Sequence, residues 1–427
     1  MTLIRARIVL PVTSAPIENG AIAIDGRRVS WVGRFPDAPF YEASNVFDLG
    51  DAILLPGLIN AHCHLDYTAL AGKIPPLKSF TDWIKSLVAL KAEWTIDDYA
   101  RSWRQGAEML LRSGTTTVAD IEAVVELLPS AWSETPLRIV SFREIINLKP
   151  DGAQEMAART AVELAACAGA EGHIGLSPHA PYTTTTELLR ASAAEARQRA
   201  WRLTTHVAES AEEFDMFTLA GGPLYQWLQS QRDMRDCGNV TPVQHLEKIG
   251  YMGEDLLAVH VNYLGPNDAE TLSKAGVHVV HCPRSHAYFG HRAFPFETLT
   301  AQNVNVCLGT DSLVTVRSPP SGPPTLNLFL EMGAFSRRFP DVAPNEVLRM
   351  ATLNAAIALG RRGALGELRQ NATADVIAIP FTGAVSDVYE ASVHHAGPVT
   401  ASMIRGQWAI TPDATGLNQQ SRARPQA

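Results

Sequence analysis

The central part of the chain alternates short apolar runs with longer helix-like stretches, the latter at 96–112, 153–168, 186–199 and 268–275. Parallel strands that are buried on both faces read as continuous apolar runs, as several of the short runs do. Eight strand candidates begin near Ile53, Thr115, Arg138, His173, Arg202, Leu256, Val277 and Asn305. Eight strands that are each followed by a helix predict an α/β fold of the (β/α)8 TIM-like barrel type.

The two ends of the chain have a different pattern, made of short strands and turns. In residues 1–55 the apolar runs are 4–10, 21–24 and 29–32, and in residues 365–411 they are 374–379, 391–394 and 403–408. Neither segment is long enough to bury a core of its own. We therefore predict that the two segments pair into one small β-sandwich domain beside a barrel at 56–364. The polar residues 412–427 are expected to form a disordered tail.

Composition excludes several classes of partner. The chain has 427 residues, a hydrophobic content of 46% and a formal net charge of -8, so no basic excess favours nucleic acid. The five cysteines are scattered without a Cys-x-x-Cys pair, which favours a reducing compartment over a disulfide framework. No signal peptide is recognised, and no apolar run reaches membrane-spanning length. These features predict a cytoplasmic protein with neither a nucleic-acid nor a membrane partner.

The first barrel strand candidate ends in two histidines one residue apart, His62 and His64. Side chains at positions i and i+2 of a strand point to the same face, so both imidazoles could bind one metal ion while Cys63 points away. Neutral imidazole suits zinc, and also iron, nickel or copper. Because the His-x-His pattern is short and common, two structural residues at a strand end remain an equally good interpretation of the motif alone.

Later strand candidates also end in polar residues. They are His179 after the fourth strand, His206 and Glu209 after the fifth, His260 after the sixth, His281 and Arg284 after the seventh, and Asp311 after the eighth. Any one of these has a structural explanation, since a lone histidine is more often a hydrogen-bonded residue and an aspartate can cap a helix. The carboxyl ends of barrel strands meet at one rim, however, so together these residues indicate a metal site.

Several of these motifs resemble the amidohydrolase superfamily. They are the segment 56–66 (PGLINAHCHLD), His206 with Glu209, His260, and the Gly-Thr-Asp-Ser sequence at 309–312. More narrowly, they are similar to the aminohydrolase/chlorohydrolase branch, which contains deaminases of guanine, adenosine-like thioethers, aminofutalosine and pterins, together with s-triazine hydrolases. Residues 351–360 and 366–375 resemble the family's helix and its return to the β domain, so the resemblance covers nearly the whole chain.

The resemblance implies one divalent metal, zinc by default with iron as the alternative, held by His62, His64, His206 and Asp311. Water at an open coordination position would then have a pKa near neutrality. The catalytic residues would be Glu209, His260 and Asp311. His260 would contact the water or the developing oxyanion, and Glu209 would pass a proton to a ring nitrogen and then to the leaving amine. An exposed acid at a helix start is the alternative role of Glu209.

Four further residues are candidates for substrate contacts: His179, in a Pro-His-Ala-Pro-Tyr motif, His281, Arg284 and Trp83. Trp83 follows the first strand and could stack on a flat ring, although a packing role is equally consistent with the sequence. Strand four offers no lysine that could bridge two metals, which disfavours a binuclear hydrolase. The segments 283–286 and 312–316 depart from the usual pattern of relatives at the substrate rim, and therefore leave the substrate open.

The lead hypothesis is hydrolytic deamination of an amino-substituted aromatic heterocycle by a metal-bound hydroxide, with ammonia as the leaving group. The alternative within hydrolases is displacement of chloride or an alkylamine from an s-triazine-like ring. A different class is a non-catalytic relative that keeps the fold for assembly or binding; the filled ligand positions disfavour it. The expected partner is a small heterocyclic substrate, and the sequence leaves the oligomeric state open, with a homodimer among the options.

Overall fold

The computed structural model describes residues 1–39, 45–75, 77, 79–167, 173–318 and 322–413. In these ranges the strands are β1 (Thr2–Val9), β2 (Ile17–Asp25), β3 (Arg28–Arg34), β4 (Asn45–Asp48), β5 (Ala52–Pro56), β6 (Leu58–Cys63), β7 (Thr115–Glu122), β8 (Arg138–Ile145), β9 (His173–Pro178), β10 (Arg202–Val207), β11 (Leu256–His260), β12 (His278–His281), β13 (Asn305–Leu308), β14 (Val376–Pro380), β15 (Ala401–Ile404) and β16 (Gln407–Ile410).

The α-helices of the same ranges are α1 (Phe80–Lys91), α2 (Ile96–Arg112), α3 (Leu128–Ser133), α4 (Ala153–Cys167), α5 (Thr186–Gln198), α6 (Ala211–Leu219), α7 (Gly222–Leu228), α8 (Pro242–Lys248), α9 (Asp268–Lys274), α10 (Pro283–Phe289), α11 (Phe296–Ala301), α12 (Leu328–Arg338), α13 (Pro344–Met350), α14 (Leu353–Ala358) and α15 (Val388–Val393). The helix α2 shows why such segments form: Thr95 and Asp98 make a capping box, and Trp103 and Leu110 bury its inner face.

Strands β6 to β13 lie side by side in chain order and pair in parallel, which makes a nearly closed barrel. The carbonyl oxygen of His62 accepts hydrogen bonds from the backbone nitrogens of Thr310 (3.0 Å) and Asp311 (3.1 Å), so the first and last strands meet at the carboxyl end. Helices separate most of the strands along the chain. The predicted (β/α)8 barrel is confirmed, and its carboxyl rim gathers the polar strand ends.

The predicted first strand, near Ile53, is two strands in the structure. Ile53 lies in β5, which pairs with β1 and β14 of the second sheet, and the barrel strand β6 begins only at Leu58. Gly57 separates them where the chain passes close to β7: a Cβ at this glycine would lie 2.1 Å from Oγ1 of Thr116. The run 52–55 is apolar because β5 is buried, which an apolar pattern cannot distinguish from a barrel strand.

The second sheet is built from both ends of the chain, in the order β16-β15-β14-β5-β1-β2-β3, with β4 on β1. The strand β1 exchanges partners along its length, pairing with β4 at residues 2–5 and with β5 at residues 8–9. The strand β14 pairs antiparallel with β5 over 376–380, which joins the C-terminal segment to the N-terminal one. The prediction of a separate β unit that both ends form together is thereby confirmed.

One strand predicted for that unit is wrong. Residues 391–394 do not form a strand, because α15 covers Val388–Val393. Its buried residues Val388, Ser392 and Val393 recur at helical spacing, and the Ser392 hydroxyl donates to the Val388 carbonyl oxygen at 2.7 Å. A run of two or three apolar residues is too short to reveal its period.

Two predictions extend beyond the described residues: the tail from 414 onward and the last residue of the predicted helix 153–168. Within the ranges that are described, no helix is both long enough and apolar enough to cross a membrane.

Candidate active site

The strand β6 delivers His62 and His64 to the same face, as the spacing of two residues predicts. Both imidazoles are buried, and their ring centroids lie 4.9 Å apart. Cys63 points the other way, into an apolar cluster that includes Leu65 and Leu110. Because side chains alternate along a strand, the two histidines face the barrel rim together while Cys63 packs in the apolar cluster on the other face.

The histidines meet residues from the ends of β10, β11 and β13. Nε2 of His64 lies 3.3 Å from Nε2 of His206, and Nε2 of His62 and of His64 each lie 3.9 Å from Oδ1 of Asp311. Ligand atoms of His62, His206 and His260 lie within 4.8 Å of one another, as do those of His62, His64 and Asp311. The structure thus brings together all four residues predicted as metal ligands, with His260 beside them.

Hydrogen bonds outside the cluster orient two of these groups. Nδ1 of His206 donates to the carbonyl oxygen of His179 at 2.9 Å, which turns its Nε2 toward His64. Oδ2 of Asp311 accepts from the Ser285 hydroxyl at 2.6 Å, and Oδ1 accepts from the Ser312 backbone nitrogen at 2.8 Å. These hydrogen bonds hold the His206 ring and the Asp311 carboxylate in the orientation that directs them toward the cluster.

The cluster meets the chemical requirements of a divalent metal. Neither ring nitrogen of His62 has a hydrogen-bond partner among the described residues, although both are buried. Burial, followed by the charges of neighbouring histidines, lowers the pKa of His62 and of His64 well below the usual value, so both imidazoles are neutral. Neutral imidazole nitrogens that converge with a carboxylate oxygen are suitable ligands for a divalent metal ion.

Glu209, two residues after the end of β10, and His260, the last residue of β11, lie beside the cluster. Oε1 of Glu209 lies 3.5 Å from Nε2 of His260, and both side chains are buried. Burial, followed by the charge of Asp311 and that of Glu213, raises the pKa of Glu209 well above its usual value. The side-chain amide of Asn262 donates to the Glu209 carbonyl oxygen at 2.9 Å. A buried carboxyl group with a raised pKa beside a metal site is suited to hold a proton and to donate it.

Three residues at these strand ends have strained backbone conformations. Ala208, His260 and Asp311 have positive φ angles of 51°, 76° and 54°. Each non-glycine residue in this region costs about 1–3 kcal/mol, and such residues persist where the surrounding structure over-determines them. Packing and hydrogen bonds hold these three residues in the geometry that the site requires.

A cavity of about 340 Å³ extends from the cluster to the surface. Its inner end is polar and includes Glu209 and His260, whereas its outer walls are mainly apolar and aromatic, formed by Phe80, Trp83, Leu87, Ile146, Leu148 and Trp227. His179 lines the inner part, and its Nδ1 lies 2.6 Å from the Thr183 hydroxyl. Trp83 and His179, which were predicted to contact substrate, therefore both lie on the cavity wall.

The structure does not bring His281 and Arg284 to that wall. His281 is buried face to face with Phe294, at a centroid distance of 3.8 Å. Arg284 points away from the cavity, where its Nε donates to the buried Glu331 at 2.5 Å and Nη2 to the Thr325 carbonyl oxygen at 2.9 Å. Neither residue belongs to the described residues that line the cavity. These packing and ion-pair contacts explain why a position at a strand end does not guarantee a place in the site.

Glu144, near the end of β8, is a cavity residue that the sequence analysis missed. No group of the described chain donates a hydrogen bond to its carboxylate, which faces the cavity beside Lys91. Burial raises the pKa of Glu144, but the charges of His179, Lys91, His206 and Arg143 together outweigh this effect, and the pKa is lowered. Polar residues at the carboxyl ends of barrel strands are candidates for the site, and this criterion would have identified Glu144 had it been applied to β8.

Lys91 and Tyr67 complete this side of the cavity. The Lys91 amine contacts the Tyr67 hydroxyl and lies 4.1 Å from the centroid of its ring, and that ring stacks on His64 at a centroid distance of 5.0 Å. These two residues come from a turn after β6 and from the end of α1, where no local pattern marks a functional residue. Only the folded chain brings them together.

Comparison with known proteins places this geometry in a family. The 5-methylthioadenosine/S-adenosylhomocysteine deaminase of Moorella thermoacetica is 29% identical over 399 residues, which cover 88% of this chain and 85% of that protein. The structure superposes on Helicobacter pylori aminofutalosine deaminase in complex with methylthio-coformycin with a TM-score of 0.84, at 20% identity, covering 96% of this chain and 100% of that one.

The fold is also that of atrazine chlorohydrolase from Arthrobacter aurescens TC1, complexed with zinc, with a TM-score of 0.81 at 22% identity and coverage of 97% of both chains. The model of one protein family, described as the amidohydrolase family, matches residues 53–409. That match spans the barrel and the return to the second sheet, including every residue of the histidine and aspartate cluster. This chain belongs to the amidohydrolase family.

Proposed function

We propose that the protein is a metal-dependent hydrolase that deaminates an adenine-like purine derivative. The observation that supports this function most directly is the placement of Glu209. Its buried carboxyl group lies 3.5 Å from His260, beside the histidine and aspartate cluster and at the inner end of the cavity. Hydrolytic deamination replaces a C–NH2 group by C=O, consumes one water and releases ammonia, so it needs a nucleophile and a proton donor at one carbon.

His62, His64, His206 and Asp311 are the proposed metal ligands, and zinc is the proposed metal, with iron as the alternative. Their nitrogen and oxygen donors suit either ion, and a solved relative with this fold is complexed with zinc. A divalent metal supplies the nucleophile in such a site by lowering the pKa of water toward neutrality. Its ligands must be deprotonated, which agrees with the lowered pKa of His62 and of His64.

Glu209 moves the protons in the proposed mechanism. Because its pKa is raised, the carboxyl group holds a proton that it can donate to the ring nitrogen next to the reacting carbon. The resulting carboxylate then takes one proton from the attacking water and delivers it to the departing amine. The second proton of that water, released as the C=O group forms, restores the Glu209 carboxyl group. His260, whose pKa is lowered by burial and by the charges of His206 and His62, is a neutral imidazole that can hydrogen-bond to the oxygen as it adds.

The apolar outer walls of the cavity have two roles in this account. Aromatic side chains such as Trp83 and Phe80 offer flat faces to a heterocycle, and stacking on them orients its amino-bearing carbon toward the inner end. The same walls exclude water, which strengthens the electrostatic interactions around the reacting atoms. We propose Trp83 and His179 as substrate contacts, whereas the packing of His281 and Arg284 supports no such role.

Two other functions remain as alternatives with less support. Displacement of chloride or an alkylamine from a triazine ring would use the same cluster, but the triazine-hydrolysing neighbour is 22% identical and thus supports the fold alone. A non-catalytic role is disfavoured because the cluster is complete and a proton donor lies beside it. The absence of a nucleic-acid partner, the cytoplasmic location and the option of a homodimer stay predictions from the sequence.

The test is ammonia release by the metal-supplemented full chain from a panel of heterocycles. We expect adenosine or methylthioadenosine to give one ammonia per purine, with loss of activity on chelation and recovery with zinc. The protein should also hold about one divalent metal per chain. Chloride or alkylamine release from triazines without ammonia from purines would favour the alternative hydrolase. No turnover of any compound by metal-loaded protein would favour the non-catalytic class.

A further inference from the structure

Two acidic residues at the start of α6, Glu212 and Glu213, contact different parts of the active site. Acids in the first turn of a helix commonly need no explanation beyond the helix dipole. Glu213 is fully buried, however, and Glu212 reaches across to another helix, so neither is a solvated residue of the helix surface. Each side chain accepts hydrogen bonds from backbone nitrogens that belong to an element of the cavity.

Glu213 supports the segment that holds Glu209. Its Oε1 accepts from the Ala208 backbone nitrogen at 3.0 Å, and its Oε2 accepts from the Glu209 backbone nitrogen at 2.8 Å. In an ordinary capping box a glutamate at this position would bond the nitrogen of the N-cap residue, here Ser210. Glu213 reaches one and two residues further back instead, to the left-handed turn at Ala208. Its carboxylate therefore fixes the backbone on which Glu209 stands.

Glu212 supports the cavity wall. Its carboxylate accepts from the backbone nitrogens of Phe80 (3.0 Å) and Thr81 (2.9 Å), and it also contacts the Thr81 hydroxyl. These nitrogens begin α1, where the first N–H groups of a helix have no partner within it and where the dipole favours an anion. The helix α1 presents Trp83, Leu87 and Lys91 to the cavity. Glu212 thus anchors the helix that would lie against the bound ring.

We propose that these two neighbouring glutamates are separate positioning residues, Glu213 for the proton-transfer group and Glu212 for the substrate-binding wall. The inference rests on the proposed function, because it assigns Glu209 to the chemical step and α1 to binding. Two adjacent positions of one helix start would then control two different kinetic constants. If both residues served only to stabilise α6, their loss would affect kcat and KM without distinction.

The test compares Glu213→Gln with Glu212→Gln in the metal-loaded full chain, with methylthioadenosine as the probe. A glutamine at 213 keeps one acceptor but turns an N–H2 group toward the other backbone N–H. We expect kcat to fall about 10²-fold with KM within about 3-fold, since small misplacements of reacting groups have effects of this size. For Glu212→Gln we expect the reverse, a KM raised about 10-fold and a kcat within about 3-fold of wild type.

Two further variants keep the test decisive if either glutamine variant folds poorly. Asn262→Ala removes the hydrogen bond to the Glu209 carbonyl oxygen and should reproduce the fall in kcat. Thr81→Val removes the hydroxyl that contacts Glu212 and should reproduce the rise in KM. Glu187→Gln, at the second position of α5, is the matched control and should change neither constant.

Equal effects on kcat and KM in both variants, or wild-type constants in both, would overturn the proposal while leaving the proposed function intact. Absence of ammonia release by the wild-type protein from every purine tested would overturn the proposed function, and this inference with it. The two failures are therefore distinguishable in one set of measurements.

Discussion

At the scale of single residues, the site includes buried polar atoms that have no hydrogen-bond partner within the described chain. A buried donor or acceptor without a hydrogen bond costs about 1–3 kcal/mol, so several such atoms that converge at one point indicate a ligand that satisfies them. Both ring nitrogens of His62 and Nδ1 of His64 are of this kind within the described chain. The carboxylate of Glu144, further up the cavity, is partly exposed and accepts no hydrogen bond from the described residues.

We predict that the carboxylate of Glu144 binds a polar group of the substrate. An ionised carboxylate in a largely apolar cavity needs a donor, and we expect a substrate hydroxyl or amino group to supply it. A hydrogen bond to a charged group contributes about 1.5–3 kcal/mol, so Glu144→Ala should raise KM about 10- to 100-fold. The change in kcat should stay within about 3-fold, because Glu144 is no part of the proton transfer proposed for Glu209.

Steady-state kinetics on the best purine of the ammonia panel measures both constants. Glu155→Gln, an acid in the first turn of α4, is the control and should behave as wild type. A Glu144→Ala protein with an unchanged KM would show that the substrate does not reach this carboxylate.

The sequence predicts the cluster well and the cavity wall poorly. The residues of the cluster all lie at or just after the carboxyl ends of strands, and the rule that barrel strands end at one rim was sufficient to group them: His62, His64, His206, Glu209, His260 and Asp311. The same rule also selected His281 and Arg284, which fold away from the cavity into contacts with Phe294 and Glu331. Which way a side chain turns at a strand end depends on packing that no local pattern contains.

At the scale of elements, the alternation of apolar runs and helical stretches was informative where elements are long. The helix α2 has the predicted bounds, and six of the eight barrel strands begin where an apolar run was recognised. The failures are short segments. The apolar run at 52–55 belongs to β5 of the second sheet, whereas the first barrel strand begins only after Gly57, and α15 at 388–393 was interpreted in part as a strand. Neither a change of partner nor a period of 3.6 can be read from four residues.

At the scale of the whole molecule, the barrel is joined to a sheet that neither end of the chain can build alone. The strands β5 and β14 pair with each other, and β5 continues within two residues into the first barrel strand. A buried ion pair at 3.0 Å also connects the barrel strand β8, through Arg138, to Asp375 just before β14. These connections couple the small sheet to the strand that carries His62 and His64.

This arrangement predicts the result of truncation. We propose that residues 1–55 and 365–411 form one domain, so deleting either segment should give insoluble protein. Deletion of residues 1–55 would expose the edge of β14 that pairs with β5. Deletion of residues 365–411 would expose the edge of β5 and leave the buried Arg138 without the counter-charge of Asp375. Soluble yield and metal content after expression are the measurements.

Deletion of residues 414–427 is the control for the truncations, and it should leave soluble, metal-loaded protein. A soluble and metal-loaded fragment of residues 56–365 would contradict the proposed domain, since the barrel would then be stable without the sheet.

We propose that Glu209 transfers protons in a metal-dependent deamination, and the Glu209→Gln variant is the sharpest test of this role. The amide keeps the size of the side chain and leaves the four proposed ligands untouched, so metal content and the affinity for a non-reacting purine analogue should not change. What is lost is the proton that Glu209 donates to the ring and to the leaving amine. General acid–base catalysis by one group contributes about 10²- to 10⁴-fold, and two transfers through one residue place the effect at the upper end.

The decisive measurement is kcat for ammonia release by Glu209→Gln, taken with the metal content of the same preparation. We expect kcat to fall about 10⁴-fold with the metal retained. A kcat within a few-fold of wild type in metal-loaded protein would contradict the mechanism.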